Sequence, residues 1–267
     1  VSVDLVALWK TVVLGVVEGV TEFLPVSSTG HLIVVGDLLR FSGSTAATFE
    51  IFIQLGAVLA VVWHYRTRLF SVAARLGAPE GREFVLPLLV AFLPAAVIGL
   101  LIHDWIKAVL FSPLVVAVAL VVGGILILVI ERVHPVDRVT DAARMPLRTA
   151  LGIGVAQVLS LIPGTSRSAT TILGGYLLGC SRQAATEFSF YLAIPVLGAA
   201  TLYDLYKSRH LLGAGDGVML AVGTAVAFVT ALVVIRAFLK YVSGHDFRVF
   251  AWYRIGFGAL LLWYFWP

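Results

Sequence analysis

The chain has 267 residues, 60% of them hydrophobic and only 13% charged, and its mean hydropathy is +1.00. A soluble domain averages roughly 45–50% apolar and about 25% charged residues, so that class is excluded. The net charge of +4 is carried by short loops, where lysine and arginine set membrane orientation rather than mark a nucleic-acid surface.

Apolar runs of about 20 residues recur along the whole length, each enough for a helix to cross a ~30 Å hydrocarbon core. They lack the period-2 alternation of a membrane barrel, the other fold that satisfies its backbone in lipid. The expected class is an all-α, polytopic membrane protein. Residues 5–24 lead to Pro25 and then to an amphipathic piece over 27–40. Spans follow at roughly 46–65, 84–103 and 112–131. Residues 147–162 then lead to Pro163 and a piece over 165–178, followed by spans at 184–206, 217–239 and 249–266. Each piece after a proline has about 14 residues, or about 21 Å of helix, too short to cross. A proline stops the arm before it. The pattern predicts six transmembrane helices plus two re-entrant helix-loop-helix hairpins. The N-terminal apolar stretch carries glutamates and runs into a polar motif, so a cleavable signal peptide is not expected. Cys180, the single cysteine, lies in a small-residue turn and is assigned a structural role.

The two hairpin regions resemble each other. At an offset of 138, Pro25 meets Pro163, Ser28 meets Ser166 and Gly36 meets Gly174, then Ala46-Ala47-Thr48 meets Ala184-Ala185-Thr186 and Tyr65 meets Tyr203. With one residue slipped, Gly15 meets Gly154 and Glu18 meets Gln157. One membrane domain over 1–267 thus divides into a repeat of about 1–132 and another of about 145–267. A hairpin plus three spans crosses an odd number of times, which predicts an inverted-topology repeat, an architecture with polar sites at the repeat interface. One face collects twelve basic residues, from Arg66 and Arg68 to Lys240 and Arg248. The other collects five: Lys10, Arg40, Lys107, Lys207 and Arg209. The richer face is read as cytoplasmic, which puts both termini and the mouth of the first hairpin outside.

The first hairpin reads EGVTEFLPVSSTGH over 18–31. Glu18 and Glu22 are i and i+4, on one helical face. Ser27, Ser28 and Thr29 open the second arm, and His31 follows Ser28 at i+3. The second hairpin reads PGTSRSATT over 163–171, placing Ser166, Arg167 and Ser168 at a helix start with Thr170 and Thr171 a turn later. Two helix N-termini near mid-membrane favour an anion such as phosphate, and Arg167 adds a bidentate fork for phosphate oxygens. Glu18 and Glu22 would repel a pyrophosphate as bare charges. They fit either as ligands for a hard divalent cation or with one acting as general base. Ser28 beside His31 reads as a hydroxyl nucleophile with its acid/base partner. Burying Glu18, Glu22 and Arg167 at depth would cost roughly 8–10 kcal/mol on insertion scales, which argues for function. Glu50, Gln54 and Glu187, and the histidines 64, 103, 134, 210 and 245, are read as supporting or structural. Trp9, Trp252, Trp263 and Trp266 are read as interfacial anchors.

EGVTEFLPVSSTGH and PGTSRSATT together resemble the two signature motifs of the bacterial undecaprenyl pyrophosphate phosphatase family, also called bacitracin-resistance proteins. The resemblance extends through TFEIFIQLGAVLAVV at 48–62 and ATEFSFYLAIP at 185–195 and covers nearly the whole chain. It implies hydrolysis of undecaprenyl pyrophosphate to undecaprenyl phosphate on the periplasmic face of the inner membrane. That reaction recycles the lipid carrier of peptidoglycan synthesis and confers bacitracin resistance. The resemblance also implies a divalent cation, Mg2+ or Ca2+. Its motifs fall on Glu18, Glu22, Ser28, His31, Ser166, Arg167 and Thr171. The role hypotheses are Ser28, His31, Glu22 and Arg167 as catalytic; Ser27, Thr29, Ser166, Ser168 and Thr171 against the substrate; and Glu18 with Glu22 on the metal. Two competing assignments make His31 the nucleophile or let a metal-activated water attack directly. The expected partners are a polyprenyl pyrophosphate lipid and the membrane, with no nucleic acid; a homo-oligomer is compatible. The rival of another class is a flippase or transporter that binds the same lipid without cleaving it.

Overall fold

A computed structural model describes residues 5–41, 44–110, 112–133, 136–208 and 217–265. Arg209, His134, His210 and Trp266 lie outside the described residues, as do the side chains of His103 and Lys107. Among the described residues there are eleven α-helices: α1 (Leu5–Thr21), α2 (Ser28–Leu38), α3 (Ser44–His64), α4 (Arg66–Ala74), α5 (Pro79–Val109), α6 (Pro113–Val133), α7 (Leu147–Gln157), α8 (Arg167–Leu177), α9 (Arg182–Ser208), α10 (Gly217–Val242) and α11 (Arg248–Phe265). The only extended pairing among them is an isolated bridge between Val139 and Cys180.

The fold is all-α and multi-pass. Four stretches are long and apolar enough to cross a bilayer: Pro79–Ile102, Pro113–Val133, Arg182–Lys207 and Gly217–Val242. Phe49–His64 and Leu147–Leu161 are shorter apolar helices. Polarity is distributed as a lipid solvent demands. The outward faces of α6 and α10 carry exposed Val118, Val122, Leu126, Val229 and Val233, while Glu18, Glu22, Gln157, Ser168, Ser189 and Arg254 are buried. In hydrocarbon a polar group must find its partners inside the bundle.

Both prolines end their arms as expected. α1 stops at Thr21 ahead of Pro25, and α7 tightens into a 3-10 turn over Val158–Leu161 ahead of Pro163. The arms that follow, α2 and α8, have 11 residues each, about 16 Å of helix. α1 packs along α10 and α7 packs along α5. Small residues permit both close approaches: a Cβ on Gly19 would lie 2.7 Å from the Ala227 carbonyl oxygen, and one on Gly154 would lie 2.5 Å from that of Ala91. α3 lies against α9, and α6 against α11. α4, with no buried residue, was not anticipated from the apolar pattern, which registers spans and passes over a short polar helix.

Away from the hairpin tips, a buried ion pair ties three helix ends together. The Glu131 carboxylate on α6 accepts from Arg182 at the start of α9, and from the Phe247 amide before α11 at 2.8 Å. Cys180 is buried, and burial pushes its thiol up to about 11, so it stays a protonated packing group, consistent with the structural reading.

Candidate active site

The two hairpin tips have the same local construction. Ser27 takes φ 72° and caps α2, its Oγ accepting from the Gly30 amide at 3.4 Å; Ser166 takes φ 73° and caps α8, accepting from the Ala169 amide at 3.2 Å. Positive φ at a non-glycine residue costs of order 1–3 kcal/mol and is found where the surroundings enforce it, often at functional sites. The caps correct the register read from the sequence. Ser27, not Ser28, stands opposite Ser166, an offset of 139 rather than 138. The one-residue shift at Gly15 and Gly154 therefore holds at the caps too, and it brings Ser28 opposite Arg167.

Ser28 and Arg167 converge on one carboxylate. Ser28 Oγ donates to Glu22 Oε2 at 2.5 Å, and Arg167 Nη2 donates to Glu22 Oε1 at 2.9 Å. Glu22 and Arg167 are 6% and 8% exposed, whereas Ser28 is half-buried and reachable. Arg167 Nη1 is held by the Ser189 carbonyl at 3.1 Å and the Ser189 hydroxyl at 3.2 Å, and Thr171 shares that hydroxyl at 2.7 Å. Ser168 Oγ meets Ser166 Oγ at 2.9 Å and donates to the Leu24 carbonyl at 2.7 Å, stitching the second tip to the first. Of the six buried side-chain atoms without a partner among the described residues, two belong to the charged residues of the two motifs: Glu18 Oε1, an acceptor, and Arg167 Nε, a donor. An acceptor fits a cation and a donor fits a phosphate oxygen. Thr29 is half-buried and makes no hydrogen bond to this cluster among the described residues.

The family model for the bacitracin resistance protein BacA matches residues 11–260. The chain belongs to the BacA family. It is 55% identical to an undecaprenyl-diphosphatase of Nitrosomonas europaea over 259 residues, covering 97% of this chain and 95% of the relative. It is 52% identical to that of Methylobacillus flagellatus over 268 residues (98% and 100%). A Rhodospirillum rubrum protein named undecaprenyl-diphosphatase 2 is 56% identical over 262 residues (97% and 95%). The resemblance carried by the two hairpin motifs and the comparison over the full chain agree on the family.

Within this BacA-family chain His31 does not form the expected pairing with Ser28. Its Nδ1 lies 2.7 Å from the Ser27 carbonyl oxygen and its Nε2 lies 2.6 Å from Tyr253 Oη. The ring lies nearly parallel to those of Tyr253 and Phe257 on α11, with centroids 5.6 and 4.4 Å away. A carbonyl can only accept, so Nδ1 carries a proton. The i, i+3 spacing put His31 near Ser28 along the helix, but the α11 aromatics turn the ring away.

Three residues were passed over in the sequence. Ser189 stands inside a quoted segment, with nothing local to mark it. Tyr253 and Arg254 sit next to Trp252 in the last span. An arginine within a span is itself a functional signal, and Arg254 carried it. Fully buried, it donates from Nη1 to the carbonyls of Pro25 and Thr165, both at 3.1 Å. Nη2 reaches those of Gly164 at 3.1 Å and Ala119 at 3.2 Å, and Nε that of Leu120 at 3.4 Å.

Proposed function

We propose that this chain hydrolyses undecaprenyl diphosphate to undecaprenyl phosphate and orthophosphate at the junction of the two hairpin tips, recycling the lipid carrier for cell-wall synthesis. The observation that carries this reading is the single buried carboxylate, Glu22, bound on one oxygen by the Ser28 hydroxyl and on the other by the Arg167 guanidinium. Family membership and the names of the relatives support the substrate.

Arg167, with the free N–H groups at the start of α8, receives the terminal phosphate and stabilises charge developing on it. The unpartnered Nε is available to a phosphate oxygen without breaking the contact to Ser189. Ser28 Oγ attacks the terminal phosphorus, its proton passing to Glu22 Oε2. The P–O bond to undecaprenyl phosphate breaks, and the pair leaves with the lipid. Water then cleaves the phosphoserine, releasing orthophosphate, with Glu22 managing that proton as well. Glu18 with Glu22 fits a divalent cation, Mg2+ or Ca2+, through hard carboxylate oxygens, and the unpartnered Glu18 Oε1 supports that fit. When bound, such an ion neutralises charge on the phosphates. His31 supports the fold of the first tip rather than the attack, since both ring nitrogens are engaged. Ser27, Ser166, Ser168 and Thr171 act by capping the helices and holding Arg167, and Thr29 borders the entry. A carrier that only bound the lipid would have no use for a hydroxyl held 2.5 Å from a carboxylate.

The same reading includes six spans and two re-entrant hairpins in inverted repeats of about 1–132 and 145–267. Equal, equally capped arms support it, as does the exchanged packing of α1 on α10 and α7 on α5. By the basic bias of the loops, the termini and the site face the periplasm of the inner membrane.

The test is orthophosphate release from undecaprenyl diphosphate by detergent-purified protein, with and without a chelator, beside Arg167→Ala. Chelator-sensitive release that the substitution abolishes is expected. Intact substrate, with lipid bound by folded protein, would return the carrier reading.

A further inference from the structure

Among the described residues, Arg254 is the one buried charge near the tips that the proposed mechanism leaves unused. It is 0% exposed, and no carboxylate is among its hydrogen-bond partners. An unpaired guanidinium in the interior is costly unless every donor direction is met. Here backbone carbonyls meet them, and these carbonyls come from three separate pieces of chain. Pro25 belongs to the first tip, Gly164 and Thr165 to the second, and Ala119 and Leu120 to α6. Glu22 stands three residues before Pro25, and Arg167 two residues after Thr165. One rigid planar fork thus holds the backbone on both sides of the Glu22–Arg167 contact.

The fork also orients a donor. Peptide groups are planar and trans, so drawing the Thr165 carbonyl toward Arg254 turns the Ser166 N–H the opposite way, at the entrance to α8. That is the end of the helix where an anion binds.

We propose that Arg254 is a positioning residue for the reaction, whose guanidinium locks the two hairpin tips to each other and to α6 and thereby sets the geometry of Ser28, Glu22 and Arg167. This rests on the phosphatase reading. Arg254 touches no reacting atom, so its effect falls on the rate of the chemical step. The fork matters as well as the charge: a lysine ammonium is a point donor that reaches one or two of the five carbonyls.

The experiment measures orthophosphate release from undecaprenyl diphosphate by the full-length protein and by Arg254→Met, Arg254→Lys and Gly123→Ala, each checked for a monodisperse, cooperative melt. Misplacing reacting groups by about 1 Å costs on the order of 10²-fold. Arg254→Met is therefore expected to lose about 100-fold in kcat with KM changed less than about 3-fold, and Arg254→Lys to recover only about a tenth of the wild-type rate. A folded Arg254→Met with kcat within about 3-fold of wild type overturns the proposal, and so does a rise in KM with kcat unchanged. Should Arg254→Met not fold, Gly123→Ala decides. Its new Cβ would lie 2.9 Å from Arg254 Cζ, displacing the fork while keeping its charge, and a kcat loss of about 5- to 50-fold is expected. A wild-type rate in that variant overturns the proposal. Wild-type protein that releases no orthophosphate overturns the phosphatase reading and this inference together, whereas normal wild-type turnover with indifferent variants overturns this inference alone.

Discussion

The two hairpin tips share a frame and differ in what they place on it. Each has an eleven-residue second arm capped by a serine at φ near 72°, and each aims a helix N-terminus at the same junction. At matched positions the first carries Glu18, Glu22 and Ser28, and the second carries Gln157, Leu161 and Arg167. The frame makes both ends hospitable to an anion. In the proposed mechanism the residue just inside the cap divides the work, a hydroxyl on one side and a cation on the other. In that mechanism neither tip suffices by itself. The acidic tip alone would repel the phosphate, and the hydroxyls of the basic tip bond to backbone carbonyls and to other hydroxyls rather than to a carboxylate. Contact through Glu22 turns the two halves into one site.

The sharpest way to break this division is Ser28→Ala. Loss of the nucleophile on the first tip should lower kcat by about 10³-fold or more, with binding of the lipid measured by isothermal titration largely preserved. Near-normal release would hand the attack to water and remove Ser28 from its role. On the second tip, Arg167→Lys keeps charge but loses the fork, and about 10²-fold in kcat is expected. The Arg167–Glu22 pair is almost fully buried, and removing one partner of such a pair destabilises by about 3–5 kcal/mol. Each rate therefore has to be read beside a melting curve. Glu18→Gln makes the first tip match the second at that position. If Glu18 Oε1 takes the cation, the Mg2+ concentration for half-maximal release should rise about 10-fold or more, with kcat at saturating Mg2+ reduced less. An unchanged cation dependence would move the ion elsewhere. His31→Gln can still donate to the Ser27 carbonyl and is expected to cost about 10-fold, the scale of a misplaced support. A loss equal to that of Ser28→Ala would make His31 the base after all.

Much of this was legible in the sequence because it is local. Proline at the bend, a serine cap and an arm too short to cross are written in consecutive residues, and the observed arms fall within two residues of the expected 27–40 and 165–178. Convergence of Glu22, Ser28 and Arg167 was legible as chemistry, since opposite charges in lipid have to find each other. What was not legible depends on helices distant in sequence. Nothing near His31 says that Tyr253 and Phe257 will take its ring, 222 residues away for the tyrosine. Ser189 likewise becomes meaningful only once α9 lies beside α8. Arg254 was available to the same argument that found Arg167. It was missed because it stands in a tryptophan- and tyrosine-rich stretch that reads as an interfacial anchor.

The smallest expected effect separates the two tips at their remaining matched pair. Glu18 and Gln157 are both buried with side-chain atoms unpartnered within the protein, one oxygen of Glu18 and both polar atoms of Gln157. In the first tip that open oxygen fits a cation. In the second, an amide offers an NH2 donor group and a carbonyl acceptor but no charge, so it has no comparable hold on the ion or on the phosphate. A buried polar group left unmatched costs about 1–3 kcal/mol, and a similarly shaped apolar group removes that cost. Gln157→Leu should therefore raise the melting temperature by a few degrees and leave kcat within about 2-fold of wild type. If instead turnover collapses while the melt holds, the second hairpin has a polar task of its own, and the division between an attacking tip and a holding tip is too simple.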